Sequence, residues 1–164
     1  IVANEPNRER RTILFSNINR CGVCNAIITG FDGRNFPGHR FDRILVDAPC
    51  TDIGAVKKDK QALKNWNLNW IKKRAFLQKA LLGRAFELLK PGGELVYSTC
   101  TSTIEENEEV ILDLLNKQPG AKLKEIKAPI RGRKGLLEGT EKCLRIYPWD
   151  NETEFFFIAK IWNG

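Results

Sequence analysis

The feature that most constrains this chain is its alternation of short β-forming runs with amphipathic helical stretches. Strand candidates are Ile1–Asn4, Ala26–Thr29, Arg43–Val46 and Glu94–Ser98, with weaker ones at Lys122–Ile126 and Phe155–Ile161. A helix is predicted over Arg8–Arg20, with Ile13, Leu14 and Ile18 on one face and Gly22 where a C-terminal cap belongs. A longer one runs from about Asn69 to Leu89. It carries Ile71, Phe76, Leu77, Ala80, Leu81, Leu88 and Leu89 and stops at Pro91-Gly92-Gly93. A third begins after Ser102 or Thr103, where Thr103 and Glu106 have capping-box spacing, and carries Val110, Ile111, Leu114 and Leu115. Residues 128–140, rich in glycine and basic side chains, read as a loop. This β-α-β-β-α-β-α order with a closing pair of strands implies an α/β fold, a doubly wound parallel sheet covered on both faces. In such sheets ligands sit beyond the carboxyl ends of the strands. The positions to inspect are therefore Glu5, Gly30–Asp32, Asp47–Cys50 and Thr99–Thr101.

A length of 164 residues fits one domain, residues 1–164. No apolar run approaches the roughly 18 to 20 residues that span a bilayer, so no membrane association is expected. The 27 Lys and Arg against 20 Asp and Glu give a net charge of +7, which favours polyanionic partners. Basic residues concentrate in two stretches, Lys57 to Lys79 and Lys122 to Arg145, each either a cationic face or a solvated surface. Five cysteines at irregular spacing form no disulfide framework and point to a reducing, intracellular compartment. The chain opens inside an apolar run and has no methionine, and it reads as a domain truncated at its N-terminus.

Two predicted strands end in cysteine: one in Asp47-Ala-Pro-Cys50, the other in Tyr97-Ser-Thr-Cys100. If the strands are neighbours, both thiols lie at one sheet edge. A single cysteine is most often a small buried apolar residue, but two at matching strand ends are harder to dismiss. A catalytic thiol must become a thiolate, and a helix beginning near Thr103 would supply a favourable field at Cys100.

These segments resemble the two signature motifs of the RNA cytosine-5 methyltransferases, the Sun/Fmu-type enzymes and their nucleolar and tRNA-modifying relatives. The motifs are Asp47-Ala-Pro-Cys50-Thr and Tyr97-Ser-Thr-Cys100-Thr, the latter followed by Glu105-Glu-Asn-Glu108. The similarity extends to Asn17-Ile-Asn-Arg20-Cys-Gly22, Lys90-Pro-Gly-Gly, and Leu144-Arg-Ile-Tyr-Pro148 leading to Phe156-Phe-Ile-Ala-Lys160.

The resemblance implies a mostly parallel, seven-stranded sheet of the S-adenosylmethionine-dependent methyltransferases, lacking its first strand in this chain. It implies methyl transfer to carbon 5 of cytosine in tRNA or rRNA. Cys100 would attack carbon 6, Cys50 would assist release, and Asp47 would orient the base. In the DNA cytosine-5 enzymes a Pro-Cys cysteine is the nucleophile, which makes Cys50 the rival. For the cofactor, S-adenosylmethionine, the resemblance assigns Glu5 to the ribose hydroxyls and Asp32 to the adenine amino group, with Arg10 and Asp47 also in the pocket. Lys57, Lys58 and Lys60 are candidate RNA contacts. The family's Gly-rich turn and an RNA-binding element would lie upstream of Ile1, so an N-terminal segment or partner chain is expected to complete the pocket. The enzyme would be cytoplasmic, or nucleolar in a eukaryote. A rival of a different class is a non-catalytic, RNA-binding half-enzyme.

Other features are discounted. Cys21-Gly-Val-Cys24 has no second cysteine pair and His39 is the only histidine, so no metal site is expected and helix-end packing is the better reading. Trp66 and Trp70 fit packing of the long helix at least as well as base stacking. The Glu105–Glu109 cluster reads as a charged helix start.

Overall fold

The computed structural model describes residues 1–38, 40–56 and 66–164. Backbone contacts divide the chain into two units, Ile1–Gly38 and His39–Gly164.

The first unit is one β-α-β turn of the fold. Strand β1 (Val2–Asn4) pairs in parallel with β2 (Ile27–Thr29), and helix α1 (Arg8–Arg20) connects them. The helix has the predicted bounds because both ends are set locally. The Asn7 side chain accepts from the Arg10 N–H at 3.0 Å. At the other end Gly22 takes φ +65°, a left-handed turn that suits glycine. Asn4 ties the ends of the two strands together. Its Oδ1 accepts from the Phe31 N–H and the Thr29 hydroxyl, both at 2.9 Å, and its amide donates to the Phe31 carbonyl at 2.9 Å.

The second unit is built on a mixed sheet. Strand β3 (Phe41–Asp47) pairs in parallel with β4 (Leu89–Thr99), and β4 pairs antiparallel with β8 (Phe156–Asn163). One end of β8 pairs with β5 (Ala121–Lys124), the other with β7 (Leu144–Ile146), which in turn pairs with β6 (Arg133–Lys134). Helix α2 (Leu68–Glu87) precedes β4, α3 (Glu108–Lys117) follows it, and a single turn, α4 (Pro148–Asn151), precedes β8. The α/β fold holds, with the parallel pairing at β3–β4 and a larger antiparallel share than expected. The short pair β6–β7 was not foreseen: β6 falls inside residues 128–140, read as a loop, and runs of two and three residues carry no periodic signal.

Alternation in β4 buries Gly93, Leu95, Tyr97 and Thr99, and in β8 it buries Phe157, Ala159 and Ile161. These meet Leu82, Ala85 and Phe86 of α2 and Val110, Ile111 and Leu114 of α3 in one core. Each fully buried large apolar side chain contributes roughly 1.5–3 kcal/mol. Two expectations need correction. Helix α2 ends at Glu87, so Leu89 opens β4, and its buried face is Ile71, Ala75, Gln78, Leu82, Ala85 and Phe86. Phe76 is 75 % exposed while the polar Gln78 is fully buried. Helix α3 begins at Glu108, several residues after the predicted start, because the intervening side chains are engaged in the buried network described below.

Candidate active site

The parallel register of β3 and β4 sets Asp47 opposite Ser98, so Cys50 and Cys100 leave the same end of adjacent strands. Their sulfurs are 2.7 Å apart. Cys50 is buried and Cys100 half-buried. The Asp52 carboxylate, which sequence reasoning missed, touches both thiols: Oδ1 is 3.0 Å from Cys100 Sγ and 3.3 Å from Cys50 Sγ. Asp52 occupies left-handed backbone at φ +55°, a conformation that aspartate tolerates better than most side chains. Two residues on, the Gly54 N–H donates to the Cys100 carbonyl at 2.9 Å. A Cβ at position 54 would collide with that carbonyl, so only glycine fits there.

Helix α3, expected to begin near Thr103, begins at Glu108. Among the described residues the hydrogen-bond partners of the Cys100 thiol are Cys50 and Asp52. The hydrogen bond with Cys50 raises its pKa most, followed by burial and Asp52. The fifth cysteine, Cys143, is a core residue whose thiol is pushed up to about 12 by burial. Among the described residues, one cluster could gather metal-ligating atoms, namely Cys50, Asp52 and Cys100, whose ligand atoms lie within 4.8 Å of one another. Cys21 and Cys24 are exposed free thiols, so the helix-end packing expected of them does not occur. Nor do Trp66 and Trp70 pack into the core: they are 47 % and 38 % exposed, and the Arg74 guanidinium lies over the Trp70 ring.

Beneath the thiols lies a buried polar network. Glu106, fully buried, accepts from the Thr51 N–H at 3.0 Å, the Thr51 hydroxyl at 2.5 Å, the Thr103 hydroxyl at 2.9 Å and the Gln78 amide at 2.9 Å. Gln78 also donates to the Pro49 carbonyl at 2.9 Å. The residues on both sides of Cys50 are thus held by one carboxyl and one amide. Tyr97 donates its hydroxyl to the Glu106 carbonyl at 2.7 Å, and Asn107 bridges Thr99 and Thr101 on either side of Cys100. Glu108, also fully buried, takes a bidentate contact from Arg145 at 2.6 and 2.7 Å, and Arg145 donates to the Ser102 carbonyl at 3.2 Å. Within the glutamate cluster Glu108 and Glu109 do open the helix, as expected, while the buried Glu106 and Glu108 brace both cysteine loops. Thr103 does contact Glu106, as the capping-box spacing suggests, but the carboxyl is aimed at the Cys50 loop.

The other predicted residues are placed as follows. Asp47 is exposed at the end of β3, with the Ser98 hydroxyl 3.4 Å away. In the first unit Glu5 ends β1, accepts from the Asn7 N–H at 2.8 Å and pairs with Arg10 at 3.1 Å. Asp32 caps the turn Gly33–Asn35 and grips Arg34, whose side-chain hydrogen bonds hold its carboxyl down at about 2. Both carboxylates lie at the carboxyl end of one parallel pair. Lys57, Lys58 and Lys60, and also His39, fall outside the described residues.

Comparison with known proteins bears on this site. The model of the family described as 16S rRNA methyltransferase RsmB/F matches residues 1–162. The chain is 41 % identical to a tRNA (cytosine(49)-C(5))-methyltransferase of Pyrococcus abyssi, over 98 % of the chain and 55 % of that protein. It is 43 % identical to ribosomal RNA small subunit methyltransferase F of Vibrio cholerae, over 98 % of the chain and 35 % of that protein. Its fold superposes on the crystal structure of NSun6 from Pyrococcus horikoshii with SFG, with a TM-score of 0.87 and 36 % identity, covering 99 % of the chain and 41 % of that structure. The chain thus spans about half of these relatives or less.

Proposed function

The chain belongs to the 16S rRNA methyltransferase RsmB/F family, and from that premise we propose that it transfers a methyl group from S-adenosylmethionine to carbon 5 of a cytosine in tRNA or rRNA. The observation that carries this reading is the pair of thiols 2.7 Å apart at adjacent parallel strand ends. Carbon 5 of cytosine is a weak nucleophile. A thiolate added at carbon 6 makes the ring electron-rich at carbon 5, and the cofactor, when bound, supplies an electrophilic methyl group. Loss of the carbon-5 proton and rupture of the carbon–sulfur bond then free both product and thiolate. Cys100 is the nucleophile in this proposal. Its proton has two acceptors within reach, Cys50 Sγ and Asp52 Oδ1. Cys50 serves the later elimination, and Asp47, exposed at the end of β3, is free to meet the base.

The proposal takes residues 1–164 as parts of one catalytic domain. Glu5, Arg10 and Asp32 are its cofactor-binding residues, with Asp47 contributing. Their chemistry fits: a carboxylate suits a ribose diol or an amino group, and Glu5 and Asp32 stand at the ligand-binding end of parallel strands. An additional segment bearing the Gly-rich loop belongs to the same proposal.

The test separates the two thiols in the full protein. Cys100→Ala should abolish methylation and leave no covalent RNA adduct. Cys50→Ala should still add to cytosine and transfer the methyl group, but stall at release, so that a protein–RNA adduct survives a denaturing gel. An adduct with Cys100→Ala instead would reverse the roles. Full activity in both variants would make both cysteines packing residues and overturn their catalytic assignment.

A further inference from the structure

Trp149 has no place in the network beneath the thiols, and it is 70 % exposed. It is nonetheless held in place. It lies in the turn Pro148–Asn151, where Pro148 restricts the backbone, and its indole stacks on Tyr147 with ring centroids 4.7 Å apart and planes 28° from parallel. Tyr147 is backed edge-on by Phe155 at 5.1 Å. The Phe155 carbonyl in turn closes on Gly54, the residue whose N–H holds the Cys100 carbonyl. The aromatic stack is thus built onto the loops that carry the thiols. It carries positive charge at its flank. The Arg133 guanidinium lies 5.1 Å from the Tyr147 ring, anchored by Asp150 at 3.0 and 3.1 Å. Asn151 clamps the backbone of Arg131 from both sides, at 3.0 and 2.7 Å. The Arg131 side chain is exposed.

An indole stacked on one side and largely exposed, with a guanidinium on the neighbouring ring, matches the chemistry of an unpaired nucleobase and its phosphates. A base inside a duplex has no free face to offer, so the ligand is single-stranded or splayed. We propose that Trp149 is a stacking platform for an unpaired nucleobase of the RNA, beside the cytosine presented to Cys100, with Tyr147 as its support and Arg131 and Arg133 for the backbone. This rests on the RNA methyltransferase reading for the identity of the polymer. The geometry of the platform does not.

The experiment uses the full protein and a single-stranded oligoribonucleotide containing one cytosine. Trp149→Ala should weaken its binding about 5- to 150-fold, the weight of one stacked base, whereas Trp149→Phe should stay within about threefold. KM for the RNA should rise with kcat little changed. Removing the flanking base to leave an abasic site should weaken the parent protein equally and the Trp149→Ala variant hardly at all. Unchanged affinity in Trp149→Ala overturns the proposal, and so does an abasic penalty that persists in full in that variant. A fall in melting temperature without loss of affinity would make Trp149 a packing residue and overturn it as well. The two readings fail separately. If the parent binds RNA through Trp149 but never methylates it, the catalytic reading falls and the platform stands; if it methylates through Cys100 with RNA affinity blind to Trp149, the reverse holds.

Discussion

Residues 1–38 and 39–164 are built to different standards. No side chain in the first unit is buried, and its order comes from a cap at Asn7, a left-handed glycine and the polar stitching of Asn4. The second unit has a continuous apolar core and, under its two thiols, buried glutamates with every oxygen accounted for. The proposed roles of the two units differ as well. Holding a ribose and an adenine takes two carboxylates at strand ends. Bringing two sulfurs together takes loops that cannot shift, and buried hydrogen bonds supply that rigidity because leaving any of them unmade is expensive.

Substitutions in the two units should therefore differ in kind. The largest effect is expected from Glu108→Ala, which strands the buried Arg145 guanidinium and should cost about 3–5 kcal/mol in urea unfolding. A loss below about 1 kcal/mol would show that the pair is scaffolding in appearance only. Leu95→Ala, at a site with no exposure, should cost about 2–5 kcal/mol by the same measurement. In the first unit, Asn7→Ala removes one cap and should cost about 1 kcal/mol, seen as faster amide exchange in the first turn of α1. If protection across 39–164 fell by as much, the contrast between the units would be lost. Gly83→Ala works in the opposite direction. It lies inside α2 with nothing within 4 Å of a new Cβ, so it should add about 0.5–1 kcal/mol and raise the melting temperature.

The smallest effect concerns pH. Asp32 is held at about 2, against 3.8 unperturbed, first by the Arg34 side chain and then by its backbone N–H. Its contribution to stability is present above pH 3.8 and lost as pH falls through about 2. A titration of the Asp32 carboxyl by NMR should show this midpoint, and Arg34→Ala should move it back towards 3.8. An unmoved midpoint would assign the depression to the backbone alone.

What could be read in the sequence was whatever is local or periodic. Helix α1 matched residue for residue because Asn7 and Gly22 mark its ends, and the two thiols were found because each lies just beyond the end of a strand. The burial of Glu106 and Gln78 was not legible. Their partners are 55 and 28 residues distant, and a glutamate in Glu105-Glu-Asn-Glu108 looks solvated until Thr51 is seen against it. Asp52 was missed for a related reason: only its left-handed backbone turns the carboxylate onto the sulfurs. The helical pattern of α2 was right in period and wrong in phase at Phe76, because Gln78 is tied to Pro49 and Glu106 and sets which face turns inward.

The pairing of β3 with β4 steps from Phe41 opposite Leu89 to Arg43 opposite Glu94, so two residues on one strand are matched by five on the other. That bulge at Lys90-Pro-Gly-Gly has a consequence for how the gene can change length. Codons added or removed there should disturb the bulge and its local contacts but keep the alternation of the strand beyond it. One codon lost between Glu94 and Ser98 would turn every later side chain of the strand to the opposite face and draw Cys100 back by about 3.3 Å. Deletions in this family should therefore survive on one side of Glu94 and not on the other.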